Sequence, residues 1–301
     1  MTIPETIREF VRQVFRECNH KVSNKLSKHP GTWETSLDFT FIEHLSNYAA
    51  PLKFEKNWVI RFDTHYLGGM RHWRNWEIAD IGILILFRQN GKTIKSKISL
   101  LQSKRLYPNE ISFNEDKEDN YIRGFGRLYE SDELYKSIIK PRVLNFDESS
   151  QYKAFKTKDE QWKAIIEYQN ETGIPIHYLF YNPCKIPHSI EMPLTSDINY
   201  STFSVGARVL PGQTVFDKFY KEKEDYSPRF GELKYTLDAP FNEAANEGGW
   251  RLEDFISDQL ITCKQGYIVR DDDDINLFRV FNRRSGPIAS AFSITFDMGE
   301  Q

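Results

Sequence analysis

Cysteine is scarce in this chain of 301 residues: Cys18, Cys184 and Cys263 are odd in number and widely separated. That excludes a disulfide framework and points to a reducing compartment. No cysteine pair has zinc-ligand spacing, and the seven histidines do not cluster with them. Long apolar runs are also missing, so no segment reads as a membrane span. The start, MTIPETIREFVRQVF, carries acid early and lacks the apolar core of a secretory signal, so a cytoplasmic protein is expected. Excess positive charge is absent as well. A net charge of −3 argues against a protein that coats nucleic acid by bulk electrostatics, though a local basic surface stays open.

Several nucleotide and hydrolase signatures fail on inspection. Asn90-Gly91-Lys92-Thr93 contains the GKT of a phosphate-binding loop, but Leu86 stands where the loop needs its first Gly. A strand pattern follows it, not a helix. Gly124-Phe125-Gly126 lacks the strand–turn–helix context of a dinucleotide fingerprint, and no G-x-S-x-G elbow occurs. The four acids 271–274 lack the alternation, Gly and terminal Glu of an EF-hand loop and read as a solvated turn.

What is present is an ordinary globular composition, 40% hydrophobic and 28% charged, with enough Phe and Tyr to fill a sizeable core. Ile7, Phe10, Val11, Val14 and Phe15 predict an amphipathic helix from Pro4 to about Lys28, broken by His29-Pro30-Gly31. A second helix carries Leu37, Phe41, Leu45 and Tyr48 at helical spacing. Glu34 stands at its first turn, where an acid also suits the helix dipole, and Glu43 falls on its exposed face. Trp58–Asp63 predicts a strand.

The most informative stretch is Glu77–Arg105. The β-branched apolar run from Ile81 to Phe87 predicts a buried strand. Asn90-Gly91 marks a two-residue hairpin, because both central positions need positive φ. Centred there, the hairpin sets Asp80 opposite Leu101 or Gln102. Alternation puts Ile98, Leu100, Gln102 and Lys104 on one face. An acid, an amide and an ammonium thus meet at one strand end, and Glu77, three residues before Asp80, is a lesser candidate for a second carboxylate. Arg71, Arg74, Lys92, Lys95, Lys97, Lys104 and Arg105 concentrate positive charge around the hairpin. They read either as a DNA-facing surface or as solvated edges that block aggregation. Further on, Lys158–Thr172 predicts a helix stopped by Gly173, and Ile174–Tyr181 a buried strand.

Asp80 followed by Gln102-x-Lys104 on such a hairpin resembles the PD-(D/E)xK nuclease superfamily, in its variant with Gln-x-Lys. The later segment QYKAF…EQWKAIIEY…GIPIHYLFYNP is similar to the helix and strand that follow in restriction- and defence-associated members. The resemblance implies Glu34 as the acid on the preceding helix. It implies a Mg²⁺ site (Mn²⁺ as substitute) with Asp80 as direct ligand, Glu34 direct or through water, and Gln102 through its amide oxygen. Lys104 would orient the attacking water or steady charge on the phosphate. Because Gln102 is neutral, weaker metal binding or a single metal is expected. Arg71, Arg74 and Arg105 would contact nucleic acid.

The expected fold is α/β, a mixed central sheet flanked by helices over residues 1–183. A C-terminal α+β elaboration, 184–301, is expected to pack on it as one unit. The expected activity is metal-dependent hydrolysis of DNA in restriction or anti-phage defence. A partner subunit, an activator or a homodimer would be compatible with it, and no membrane. A nuclease fold without activity that binds nucleic acid or a partner is the alternative, and RNA a further substrate.

Overall fold

The computed structural model describes residues 2–55, 57–66, 77–111, 142–192, 194, 198–242, 245, 247–269, 275–282 and 287–299. Arg71, Arg74, the Gly124–Gly126 segment and the acids 271–274 lie outside the described residues. The protein is α/β. Among the described residues a nine-stranded mixed sheet runs in the order β1-β2-β12-β3-β4-β7-β9-β10, with β11 beside β4. Its strands are β1 (Leu52–Phe54), β2 (Trp58–Tyr66), β3 (Ala79–Gln89), β4 (Lys92–Arg105), β7 (Ile176–Tyr181), β9 (Arg208–Pro211), β10 (Trp250–Arg251), β11 (Tyr267–Val269) and β12 (Ile288–Met298). A small second sheet joins β5 (Asn109–Ile111), β6 (Arg142–Phe146) and β8 (His188–Met192). The polar segment after Pro108 begins with the short strand β5.

The hairpin forms where the sequence places it. Asn90 and Gly91 take φ of 51° and 73°, the pair of positive values that a type I′ turn requires. From that turn the ladder of β3 and β4 runs to the pair Ile81–Leu101. The central position of β12 is not apparent from sequence order. It lies between β2 and β3, antiparallel to the first and parallel to the second. Its apolar residues face two layers, as suits a strand buried on both sides. Gly82 gives β12 room, since a Cβ there would meet Ile288 at 2.7 Å.

Two helical layers cover the sheet. Helix α1 (Glu5–Lys28) lays a buried stripe of Ile7, Val11, Val14, Phe15, Cys18, Val22 and Leu26 on one face. Helix α2 (Glu34–Ser46) packs beside it, and Phe15, Phe41 and Phe292 meet with ring centroids 5.5 to 5.9 Å apart. Helix α3 (Glu160–Thr172) covers the other face. Asp159 caps it through the Trp162 N–H at 2.8 Å, and Gly173 ends it in the left-handed region at φ 69°. Alternation along β7 confirms the two faces: His177 stacks toward Phe255, while the next residue, Tyr178, meets Phe155 and Phe216. Helices α4 (Gly212–Phe219) and α5 (Phe230–Asp238) complete the far end. Residues Leu252–Leu260 begin as one α-helical turn and continue as a π-helix. Among the described residues no helix is long and apolar enough to cross a membrane.

Phe292 ties β12 to α1 and α2 from a position 1% exposed. Phe292→Ala should lower unfolding stability by about 3–5 kcal/mol, read by denaturant titration, because the aromatic cluster cannot collapse around the void.

Candidate functional site

Strand β4 outruns its partner. Beyond the Ile81–Leu101 pair it continues to Arg105, paired on its other side with β7 through Arg105–Tyr181. The amides of Ser103 and Arg105 therefore point toward β3 with no strand to receive them, and unpaired buried amides are costly. Two carboxylates take them. Asp80 Oδ2 accepts from the Ser103 N–H at 2.6 Å, and Glu34 Oε1 from the Arg105 N–H at 2.9 Å. Asp80 Oδ2 also accepts from the Ser103 hydroxyl at 2.9 Å and from Gln102 Nε2 at 2.5 Å.

The structure thus brings Glu34, Asp80, Gln102 and Lys104 to the end of one strand. Gln102 and Lys104 lie on the α3 side. Lys104 Nζ donates to Gln161 Oε1 at 3.1 Å, and Gln161 Nε2 donates to the Glu77 carbonyl at 3.0 Å. The amide of Gln102 presents nitrogen, not oxygen, to Asp80, while its oxygen lies 3.5 Å from Gln161 Nε2. Arg105 turns to the α2 side, where it donates to the Pro30 carbonyl and lies 3.6 Å over the Tyr107 ring. Glu43 is exposed. The basic residues of the hairpin do not gather. Lys92 and Lys95 are at the turn, about 30–40 Å along β4 from Lys104 at a strand rise of about 3.3 Å. Lys97 is buried, with its ammonium on the carbonyls of Leu260 and Gln265.

Asp38 is a member of the site that sequence reading missed. It follows Glu34 by one helical turn and is buried, accepting from Tyr181 Oη at 2.7 Å and lying 3.0 Å from Ser103 Oγ. Glu34, Asp38, Phe41 and Leu45 share one stripe of α2, but the partners that let an acid be buried there are distant in sequence. Ser103, Tyr181 and Gln161 were missed too, because each is defined by partners distant in sequence.

Electrostatics follow from crowding. Burial raises the pKa of Asp38 well above the carboxylate range, and the charge of Asp80 adds to the effect. Burial also raises Asp80 and Glu34, opposed by the Lys104 ammonium and by the bonds from Ser103 and Arg105. Ser103 has one hydroxyl proton and two carboxylates within reach. Burial and then the charge of Asp80 push Glu77 up to about 7.

Among the described residues no three His, Cys, Asp or Glu side chains converge as ligands of one metal ion. Asp80 and Glu34 bring hard carboxylate oxygens to the end of β4, the donor type that Mg²⁺ prefers, and are the residues that would hold such an ion. No known protein family matches the chain, and no curated protein or solved structure is similar to it.

A carboxyl with a raised folded pKa binds its proton more tightly in the native state. The stability it contributes at low pH is lost as pH rises from its ordinary 4.5 through about 7. The metal-free protein should therefore lose melting temperature across that window, and Glu77→Gln should flatten the decline. An unchanged slope in Glu77→Gln would remove Glu77 from the cluster.

Proposed function

We propose that the protein is a metal-dependent nuclease that hydrolyses DNA phosphodiester bonds. The observation that carries this reading is the convergence of Asp80, Glu34 and Lys104 on the end of β4. Two carboxylates come from separate elements, and an ammonium shares their field. Asp80 and Glu34 would hold the ion, which when bound acts as a Lewis acid and lowers the pKa of a bound water. Asp80 is set for this by the Ser103 N–H, which fixes the carboxylate against the strand. Lys104, steadied by Gln161, stands where it can orient a water or balance charge on a phosphate. Gln102 holds Asp80 in place through its NH₂ group in the arrangement described, and would need its amide turned over to offer oxygen. A role in restriction or anti-phage defence, in a reducing cytoplasm where three free cysteines are at ease, suits such an enzyme.

A second reading has its own observation. Asp80 Oδ2 is already engaged by three donors, so the site is self-satisfied. Such an arrangement also suits a nuclease fold that binds nucleic acid or a partner without cutting.

Plasmid cleavage separates the two. Supercoiled DNA should be nicked in Mg²⁺ or Mn²⁺ and spared in EDTA. Asp80→Asn is the informative variant, because it keeps an acceptor for Ser103, whereas Asp80→Ala orphans buried donors at a cost of about 1–3 kcal/mol. Asp80→Asn should abolish cleavage with little change in melting temperature, and Lys104→Met should reduce it on the order of 10²–10³-fold. Cleavage retained by purified Asp80→Asn would sink the nuclease reading, and no cleavage by the wild type would favour the binding one.

A further inference from the structure

Exposed aromatic rings and cations stand on both faces of the sheet near the elements that carry this site. Trp33, the residue before Glu34 and the N-cap of α2, is 73% exposed. Its place beside the end of β4 is fixed twice over. Glu34 holds the Arg105 amide, and the Arg105 guanidinium holds the Pro30 carbonyl three residues before Trp33. The same guanidinium lies over Tyr107, whose ring has Lys153 Nζ 5.7 Å away. On the opposite face α3 starts beside Lys104, which bonds Gln161 in its first turn. Lys158, just before its N-cap, places Nζ 5.6 Å from the ring of Tyr220, which is 75% exposed. Each helix start at the site is thus marked by an open aromatic face, and the strand end between them by a cation–aromatic stack.

The chemistry of these groups selects a ligand. An exposed indole is a hydrophobic surface with a flat face, suited to a planar ring; ammonium and guanidinium groups suit phosphate. A duplex turns its base faces inward and offers outward only phosphates and groove edges. Unpaired bases stack on aromatic rings while their phosphates meet cations, the combination used by single-strand binders. With a net charge of −3 the chain has no general attraction for nucleic acid, so binding must come from such a local arrangement.

We propose that this rim takes single-stranded DNA, with one base stacked on Trp33, another on Tyr220, and phosphates held by Lys153 and Lys158. The proposal rests on the nuclease reading of the site and narrows it to unpaired strands, such as flaps, gaps or melted segments.

The test is binding without cleavage. A labelled oligothymidylate of about 15 nucleotides, near the upper site size of single-strand binders, is titrated in EDTA beside a duplex of equal length, with anisotropy as readout. The wild-type protein should bind the single strand more tightly. Trp33→Ala should weaken that binding roughly 5- to 150-fold, the equivalent of one lost stack, with Trp33→Phe retaining most of it. Replacing Lys153 and Lys158 together by Ala should reduce the slope of log affinity against log salt by about 1.4. Unchanged affinity in Trp33→Ala, or tighter binding of the duplex, would overturn the proposal. Because no cleavage is read, failure here leaves the plasmid result standing. A protein that binds single strands through Trp33 yet cuts nothing would fail only the nuclease reading.

Discussion

The overhang of β4 beyond β3 is the constraint on which the site depends. A strand paired on both sides satisfies its own amides, and one that outlasts a neighbour must find other acceptors. Here β7 follows β4 to Arg105, while the β3 ladder stops at Leu101. The two amides left over on the β3 side belong to Ser103 and Arg105. They are taken by the first acid of β3 and the first acid of α2. The carboxylates are therefore positioned by backbone geometry, which cannot rotate away as a side-chain partner can. Replacing either acid by a residue that cannot accept disturbs the end of the strand as well as the chemistry, so amide variants are the cleaner probes.

Charge follows from the same arrangement. Glu34, Asp38 and Asp80 are drawn together by amides and hydroxyls, none of which carries positive charge. Among the described residues Lys104 and the nearby Arg105 oppose this charge, and burial pushes all three carboxyls upward. Asp38 is the extreme case, sealed between Tyr181 and Ser103, with its pKa pushed well above the ordinary value by burial and then by the charge of Asp80. Burial and then the charge of Asp80 push Glu77 up as well, to about 7.

Much of this was legible in the chain. The Asn90-Gly91 turn places the hairpin, because two positive-φ positions leave little choice of loop, but a bulge between Phe87 and Arg88 then shifts the register by one residue, so that Asp80 meets Gln102 and not Leu101. The stop at Gly173 and the apolar run after it define α3 and β7. Other parts were not legible, for reasons that are physical. Sequence carries no mark of which neighbours a strand will choose, and β12 pairs across more than two hundred residues with β3. Asp38 sits in an apolar stripe where its tolerance depends on Tyr181 and Ser103, which only the folded chain supplies. The basic residues looked like one cluster because they are close in sequence, yet an extended strand separates Lys92 from Lys104 by most of its length, and burial removes Lys97.

The late strand also bears on how the site is held. Ser290 of β12 donates from its hydroxyl to the carbonyl of Asp80 at 2.8 Å, and the parallel pairing of β12 with β3 begins at Ile288 and Ala79. The backbone that presents Asp80 is therefore clamped from one side by β4 and from the other by residues near position 290. Phe292 carries that clamp onward, since its ring packs against Phe15 of α1 and Phe41 of α2. Helix α2 in turn presents Glu34 and Asp38. A single packed path thus links the two elements that supply the acids, and it passes through β12. A void at Phe292 would loosen both together, so the spacing between Asp80 and Glu34 depends on a residue that touches neither.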